Sequence, residues 1–457
     1  MNDMKAPRVR PGVRRFAIVA FVILLPIAAH ALWDYLEVRR LVREIVRIRD
    51  SGEPVAERDL GPTAPESPEQ KSAARLYLAA GAAAVPTYDI DRAVPADLQT
   101  ATYTLGQDAA VRERLVRRLE AVLSPNADAL ALLDKATPLD FVAFGPGTEY
   151  SFRTASVWTL TGVNELRAGY LCLTGKTDAA VEAAIVGFRL FRVDRFRAWW
   201  AADLRPGFRM VPFILSHCPP DAEALARLQQ AAEATSSART IADALVRESM
   251  TDRARFLSRI WSQYGFDVRA PEAVTFRSYP IEQMVLRPWL THLAVRELHD
   301  RAELIAAERL PAQERLAAVE ALRQRHAERR VGGPFARGMV LGGVAREVPS
   351  MMGSFAYSGA SIAAIAVARY RLDHNQQLPP SLDALVPQYL KAIPIDPFTD
   401  APIRYVSRPG EYAVYSVGRD GKDDGGDLRP GPPPWRSGRP TPSRDLGVLI
   451  VTTRSAK

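Results

Sequence analysis

The sequence predicts a mainly α-helical bundle, a small α+β domain at its C-terminal end and a single N-terminal membrane helix. Three observations carry this reading. An uncharged apolar run follows a basic N-terminus. Residues 71–335 are rich in Ala, Leu, Arg and Glu at helical spacing, broken at intervals by Pro or Gly. After Pro334 the texture changes to Gly-rich sequence, then to Pro at short intervals, alternating aromatics and a cluster of Asp and Gly. A chain of 457 residues suits two or three folded units at roughly 150 residues each. With 47% apolar and 25% charged residues it is neither disordered as a whole nor a polytopic membrane protein.

Residues 1–33 read as a signal anchor. Lys5, Arg8, Arg10, Arg14 and Arg15 precede the apolar run Phe16–Trp33, which is 18 residues long, close to the ~20 that span a bilayer. Leu41, Ile45 and Ile48 then continue a helical pattern, with Arg39, Arg43 and Arg47 one turn apart, as in a helix that leaves the membrane through the headgroups. The expected product is an uncleaved, single-pass protein of the bacterial inner membrane, N-terminus inside and bulk in the periplasm. Ala29-His30-Ala31 also satisfies the small-x-small cleavage rule, so secretion after cleavage at Ala31 is the alternative. Residues 34–70 combine this juxtamembrane helix with a linker containing Pro54, Pro62, Pro65 and Pro68.

Within the helical domain, 71–335, the clearest elements are Gln107–Leu123, Ser156–Leu173, Thr177–Phe196, Asp221–Ile260, Ile281–Arg309 and Pro311–Arg329. Gly175 closes one helix, Thr177-Asp178 opens the next, and Pro219-Pro220-Asp221 supplies a Pro before an N-cap carboxylate. Leu166, Leu173, Ala180, Ala184, Phe188 and Phe191 line a shared face across the Gly175 turn, which makes a helical hairpin. Such a hairpin is the unit of a tetratricopeptide-type solenoid, but the pattern does not recur at the 34-residue period that array requires. An irregular bundle is expected.

Motif tests return no catalytic residue. Thr174-Gly175-Lys176-Thr177 ends like a phosphate-binding loop, but the nearest earlier glycine, Gly169, is one residue too far and the preceding segment is helical, so a helix-to-helix turn is expected. His292 and His299 share one helix two turns apart beside Asp300, without the i,i+4 spacing or third ligand of a metal site. Phe196, Trp199, Trp200, Phe208 and Phe213, beside Arg192, Arg195, Arg197 and Arg205, read as core or membrane-proximal packing, with a ligand groove as the alternative. Basic residues outnumber acidic ones, 60 to 52, a net charge of +8; the arginines are spread among carboxylates, and no nucleic-acid partner is expected. Cys172 and Cys218 exclude a disulfide-built scaffold and leave one bridge open.

Residues 336–457 form the expected α+β domain, with a Pro-rich insertion at 430–442. Here Ser361–His374 reads as an apolar helix, followed by Leu378-Pro379, Leu382-Asp383-Ala384-Leu385 and Ile393-Pro394-Ile395-Asp396-Pro397-Phe398. Then comes Tyr412-Ala413-Val414-Tyr415-Ser416-Val417-Gly418-Arg419-Asp420-Gly421. In this order the motifs resemble the globular half of the major pseudopilin of type II secretion systems, over about residues 358–428. Independently of that family, Ile403–Val406 and Glu411–Val417 flank Arg408-Pro409-Gly410 as a hairpin.

Beyond the hairpin, Asp420, Asp423, Asp424 and Asp427 alternate with Gly421, Gly425 and Gly426, whose tight turns could wrap oxygen ligands around a hard cation, calcium being the natural candidate. The spacing is not that of an EF-hand, and a solvated acidic turn would look the same. The resemblance implies that this loop holds Ca2+ and is closed by an Asp opening a last strand, here Asp445 before Leu446–Val451, with Asp420 and Asp445 approaching each other near the carbonyl of Ser416 or Val417. The N-terminus departs from the family: Arg15 precedes Phe16 and Ala20 stands where a pseudopilin has Glu, so polymerisation into a fibre is not expected. The resulting expectation is a non-enzymatic envelope scaffold with secretion or pilus machinery as partner. The alternative is an extracytoplasmic enzyme or small-ligand-binding protein with a pocket in the helical domain.

Overall fold

The computed structural model describes residues 11–53, 55, 67–91, 93–104, 108–139, 154–193, 205–236, 281–307, 309–328, 344–428 and 445–452. The described residues are mostly helical (71%), with one small antiparallel sheet among them. In chain order the helices are α1 (Pro11–Asp50), α2 (Pro68–Ala83), α3 (Thr87–Ile90), α4 (Val94–Thr104), α5 (Ala109–Leu123), α6 (Ala127–Ala136), α7 (Thr154–Leu173), α8 (Thr177–Val193), α9 (Arg205–Phe208), α10 (Met210–His217) and α11 (Ala222–Ser236). There follow α12 (Ile281–Ala307), α13 (Ala312–Glu328) and α14 (Val344–Asp373), then β1 (Arg404–Arg408), β2 (Glu411–Ser416) and β3 (Leu446–Val451). The chain divides into two units, residues 1–60 with 250–303, and residues 61–249 with 304–457.

In the first unit α1 is a single helix of 40 residues, about 60 Å long at 1.5 Å per residue and twice the ~30 Å of a bilayer core. It runs unbroken through Pro26 and Ala31. Apolar side chains from Val19 to Leu36 are exposed on every face, Phe21 at 63% and Ile27 at 60%, whereas Val38, Leu41, Ile45 and Ile48 beyond them are buried. Intact-mass measurement of membrane-extracted protein is expected to retain residues 1–31; a mature N-terminus at Leu32 would show that the helix is cut as a signal.

In the second unit local signals set the helix ends, at Gly175 and Asp221 where the sequence places them, and at Asp108, which starts α5 at Ala109 rather than at Gln107. The Asp108 carboxylate accepts from Ala110 and Val111 N–H at 2.9 and 3.1 Å, and the Asp221 carboxylate from Ala224 N–H at 2.8 Å. At Gly175 (φ +78°) α7 closes, with Lys176 N–H donating to the Leu171 carbonyl at 2.9 Å. The hairpin α7–α8 buries Leu166, Leu173, Ala180, Ala184 and Phe188 as its pattern requires; the side chain of Phe191 lies outside the described residues. A Cys172–Cys218 disulfide, Cα atoms 5.5 Å apart, ties α7 to the end of α10. The helix expected over Asp221–Ile260 is described only as far as Ser236.

The long helix α14 starts at Val344 rather than at Ser361. Its glycines are seats, not breaks: a Cβ on Gly359 would lie 3.1 Å from Pro394, and one on Gly353 would lie 3.4 Å from Leu446. This helix is as long and apolar as a membrane span, yet 83% of its most apolar stretch is buried, so it is a core helix. The sheet order is β1-β2-β3, and a two-residue Pro409-Gly410 turn joins the first pair in register Arg408↔Glu411. In β2 and β3, Tyr412, Val414, Val448 and Ile450 join the main core, while Ala413, Tyr415 and Leu449 form the opposite face. The Tyr412 hydroxyl, fully buried, donates to the Ala364 carbonyl at 3.1 Å.

The change of texture at residue 335 does not separate two cores. One hydrophobic cluster takes Leu119, Leu166, Phe188, Phe213 and Leu228 from before that point and Ile365, Tyr412, Val414 and Ile450 from after it. Polar contacts cross it as well. Gln229 Nε2 donates to the Tyr389 carbonyl at 2.7 Å, Arg369 Nη1 to Gln229 Oε1 at 2.9 Å, and Val451 N–H to Ser216 Oγ at 3.1 Å. In place of separate domains at 71–335 and 336–457, residues 61–249 and 304–457 form one unit. The cause is α14, whose apolar residues need cover on more sides than a three-stranded sheet supplies.

Candidate acidic loop

The acidic loop leaves β2 at Val417 and is described to Leu428; the Pro-rich insertion 430–442 lies outside the described residues. Asp396 anchors its root. This carboxylate, 1% exposed, accepts from Phe398 N–H at 2.9 Å, Ser416 Oγ at 2.7 Å and Val417 N–H at 3.2 Å. Ser416 and Val417, expected beside a cation through a carbonyl, thus use a hydroxyl and an N–H to hold the loop to the segment before β1. Positive φ at Gly418, Gly421, Gly425 and Gly426 then folds the chain back over β2.

The five aspartates do not converge on one point. Asp420 Oδ1 accepts from Lys422 N–H at 3.1 Å within its own turn. Asp423 is held from three sides: its Oδ1 accepts from the Tyr415 hydroxyl at 3.0 Å and from Gly425 N–H at 2.9 Å, and its Oδ2 from Arg404 Nη1. Burial would raise this carboxyl, but those donors and the Arg404 charge bring it below the usual range. Asp424 and Asp427 are exposed. Asp445, 4% exposed, accepts from Asp424 N–H at 3.3 Å and Gly426 N–H at 2.7 Å, so it closes the loop as expected but against residues 424–426 rather than Asp420. Burial raises the Asp445 carboxyl, and the charges of Asp423 and Asp424 push it further up against its two N–H donors. Tyr415, buried beside Asp423 and near Asp445, is pushed up to about 12.

Among the described residues no three His, Cys, Asp or Glu side chains are disposed to hold one metal ion. Buried Asp445 feels the charges of Asp423 and Asp424, and Arg404 balances the first of these. Sequence reasoning missed Asp396 and Arg404. The signal for the first is its place two residues before Phe398, the spacing of an Asx turn; nothing in the linear order marks the second.

The other motifs fall as follows. In the Thr174–Thr177 turn, backbone N–H groups are spent on closing α7, and Thr174 Oγ1 donates to the Tyr170 carbonyl at 2.9 Å. Phe208 and Phe213 fill the core, Phe208 against Phe188 with ring centroids 4.5 Å apart; Phe196, Trp199 and Trp200 lie outside the described residues. Compared with known proteins, the chain matches no family model, no curated protein and no solved structure.

Proposed function

We propose that the protein is a membrane-anchored scaffold of the bacterial envelope, held in the inner membrane by α1 with its bulk in the periplasm. Its C-terminal segment is a pseudopilin-like element steadied by calcium, and its partners are proteins of secretion or pilus machinery. The observation that carries this reading is the two-part surface of α1. An exposed apolar stretch, from Val19 to Trp33, passes directly into a half whose Leu41, Ile45 and Ile48 are buried. The Cys172–Cys218 bridge supports an oxidising compartment. For calcium, the support is the buried Asp445 carboxylate next to Asp423 and Asp424, with Asp420 and Asp427 on the same loop. A cation there would relieve the repulsion that raises Asp445, and it would hold the loop without taking part in any reaction.

The test is thermal unfolding of the whole chain in nanodiscs, in excess calcium and in excess chelator. At free calcium ~100 times its dissociation constant, folded-state binding adds about 2.7 kcal/mol. Asp445→Ala and the milder Asp424→Asn should each shrink the shift. Equal stability in both media would make this loop a solvated turn.

A further inference from the structure

From the end of its uncharged run at Trp33, α1 meets α12 through three charged contacts in step. Arg287 Nε donates to Asp34 Oδ1 at 2.8 Å, with a second bond from Nη2 to Oδ2. His292 Nδ1 lies 3.3 Å from Glu37 Oε1, and His299 Nε2 lies 3.3 Å from Glu44 Oε1. Partner numbers rise together, so the two helices run parallel here. The histidines are seven residues apart, as are their glutamates, so a His–Glu pair recurs two turns along, through Nδ1 at His292 and Nε2 at His299.

The two contacts differ in leverage. The Glu37 side chain is 5% exposed, and its Oε2 has no hydrogen-bond partner among the described residues. Its charge therefore rests on Oε1, which meets His292 and accepts from Arg40 Nη1 at 2.9 Å. A buried carboxylate so placed is costly to leave under-compensated. Glu44 is 21% exposed and accepts from Arg47 Nε through its other oxygen at 2.9 Å, while His299 is 55% exposed. The other charged groups of α12 near the two rings in sequence are Arg296, between them, and Glu303, one turn beyond His299. Asp300 and Arg301, both buried, are the next charged residues along the helix.

Imidazole is the side chain whose charge ordinarily changes between pH 5 and 8, whereas the Arg287 guanidinium stays charged throughout. We propose that His292 and His299 make the seating of α12 on the juxtamembrane half of α1 pH-dependent, tight in mildly acidic surroundings and loose above neutrality. Arg287–Asp34 is the fixed point about which this happens. Protonation puts a second cation on Glu37 and on Glu44; deprotonation leaves each carboxylate with a neutral ring and one arginine. His292, facing the buried partner, carries most of the effect.

Hydrogen exchange of the whole chain in nanodiscs, corrected for intrinsic rates, tests this on amides of residues 291–303. Protection is expected to be roughly three- to tenfold greater at pH 5.5 than at pH 7.5. His292→Gln should flatten most of that difference, and His292→Arg should hold the high protection at both pH values. Equal protection of the wild type at the two pH values would overturn the proposal, as would a full pH response in the His292→Gln, His299→Gln double variant. Should the glutamine variants not fold, His292→Arg decides: a pH response as large as the wild type's rejects the role of His292.

Discussion

Replacing Cys172 and Cys218 together by alanine is expected to lower the stability of the folded chain by about 4 kcal/mol. The bridge closes a loop with a sequence separation of 46, and constraint of the unfolded chain grows with the logarithm of that length. Alanine is the informative choice because both sulfurs are buried, Cys172 at 2% and Cys218 at 6% exposure, where a serine hydroxyl would add a desolvation cost of its own. The check is the denaturant midpoint of wild type and double variant, with the free-thiol content of the unfolded wild type beside it. Two free thiols and an unchanged midpoint would mean that the pair is not bridged in the cell.

The second large effect concerns the C-terminal segment. A fragment of residues 344–457, though it contains the whole sheet and its long helix, is expected not to fold. Cut from the chain, α14 loses α11, and β3 loses α10, whose Ser216 Oγ receives the Val451 N–H. The fragment would expose Ile362, Ile365 and Val367, each no more than 7% exposed in the whole chain, a cost of about 1.5–3 kcal/mol per side chain. Amide dispersion in a nitrogen-edited spectrum would decide the matter. A well-dispersed fragment would show that its own core suffices and restore a boundary near residue 335. A collapsed spectrum that sharpens when residues 61–249 are supplied in trans would show the shared core directly.

How much of this was legible beforehand depended on how local each signal is. The Gly175 turn, the Asp221 cap and the Pro409-Gly410 hairpin are settled within a few residues, and the chain carries their chemistry in order. The alternation that sends Tyr412 and Val414 to one side and Ala413 and Tyr415 to the other is equally local. The start of α14 was misread because Gly353 and Gly359 weigh against a helix until Pro394 and Leu446 are known to press on them. The shared core was invisible for the same reason, since Gln229 and Tyr389 lie far apart in the chain. In the acidic loop the aspartates and glycines were legible as a group. Which of them face inward was not, because that is decided by Arg404, Tyr415 and Asp396 from other strands and turns.

The pairing of β3 with the rest of the second unit bears on how the protein is made. This strand ends at Val451, near the end of the 457-residue chain, yet it lies against α10 and α14 and completes their cover. A polypeptide that emerges from synthesis N-terminus first therefore presents α10 long before the strand that packs against it exists. Until then the side of α10 that β3 covers is open, and Cys172 and Cys218 are both already made while the core around them is still incomplete. The core of this unit is thus not completed piece by piece as the chain emerges: the cover of α10 and α14 waits for β3.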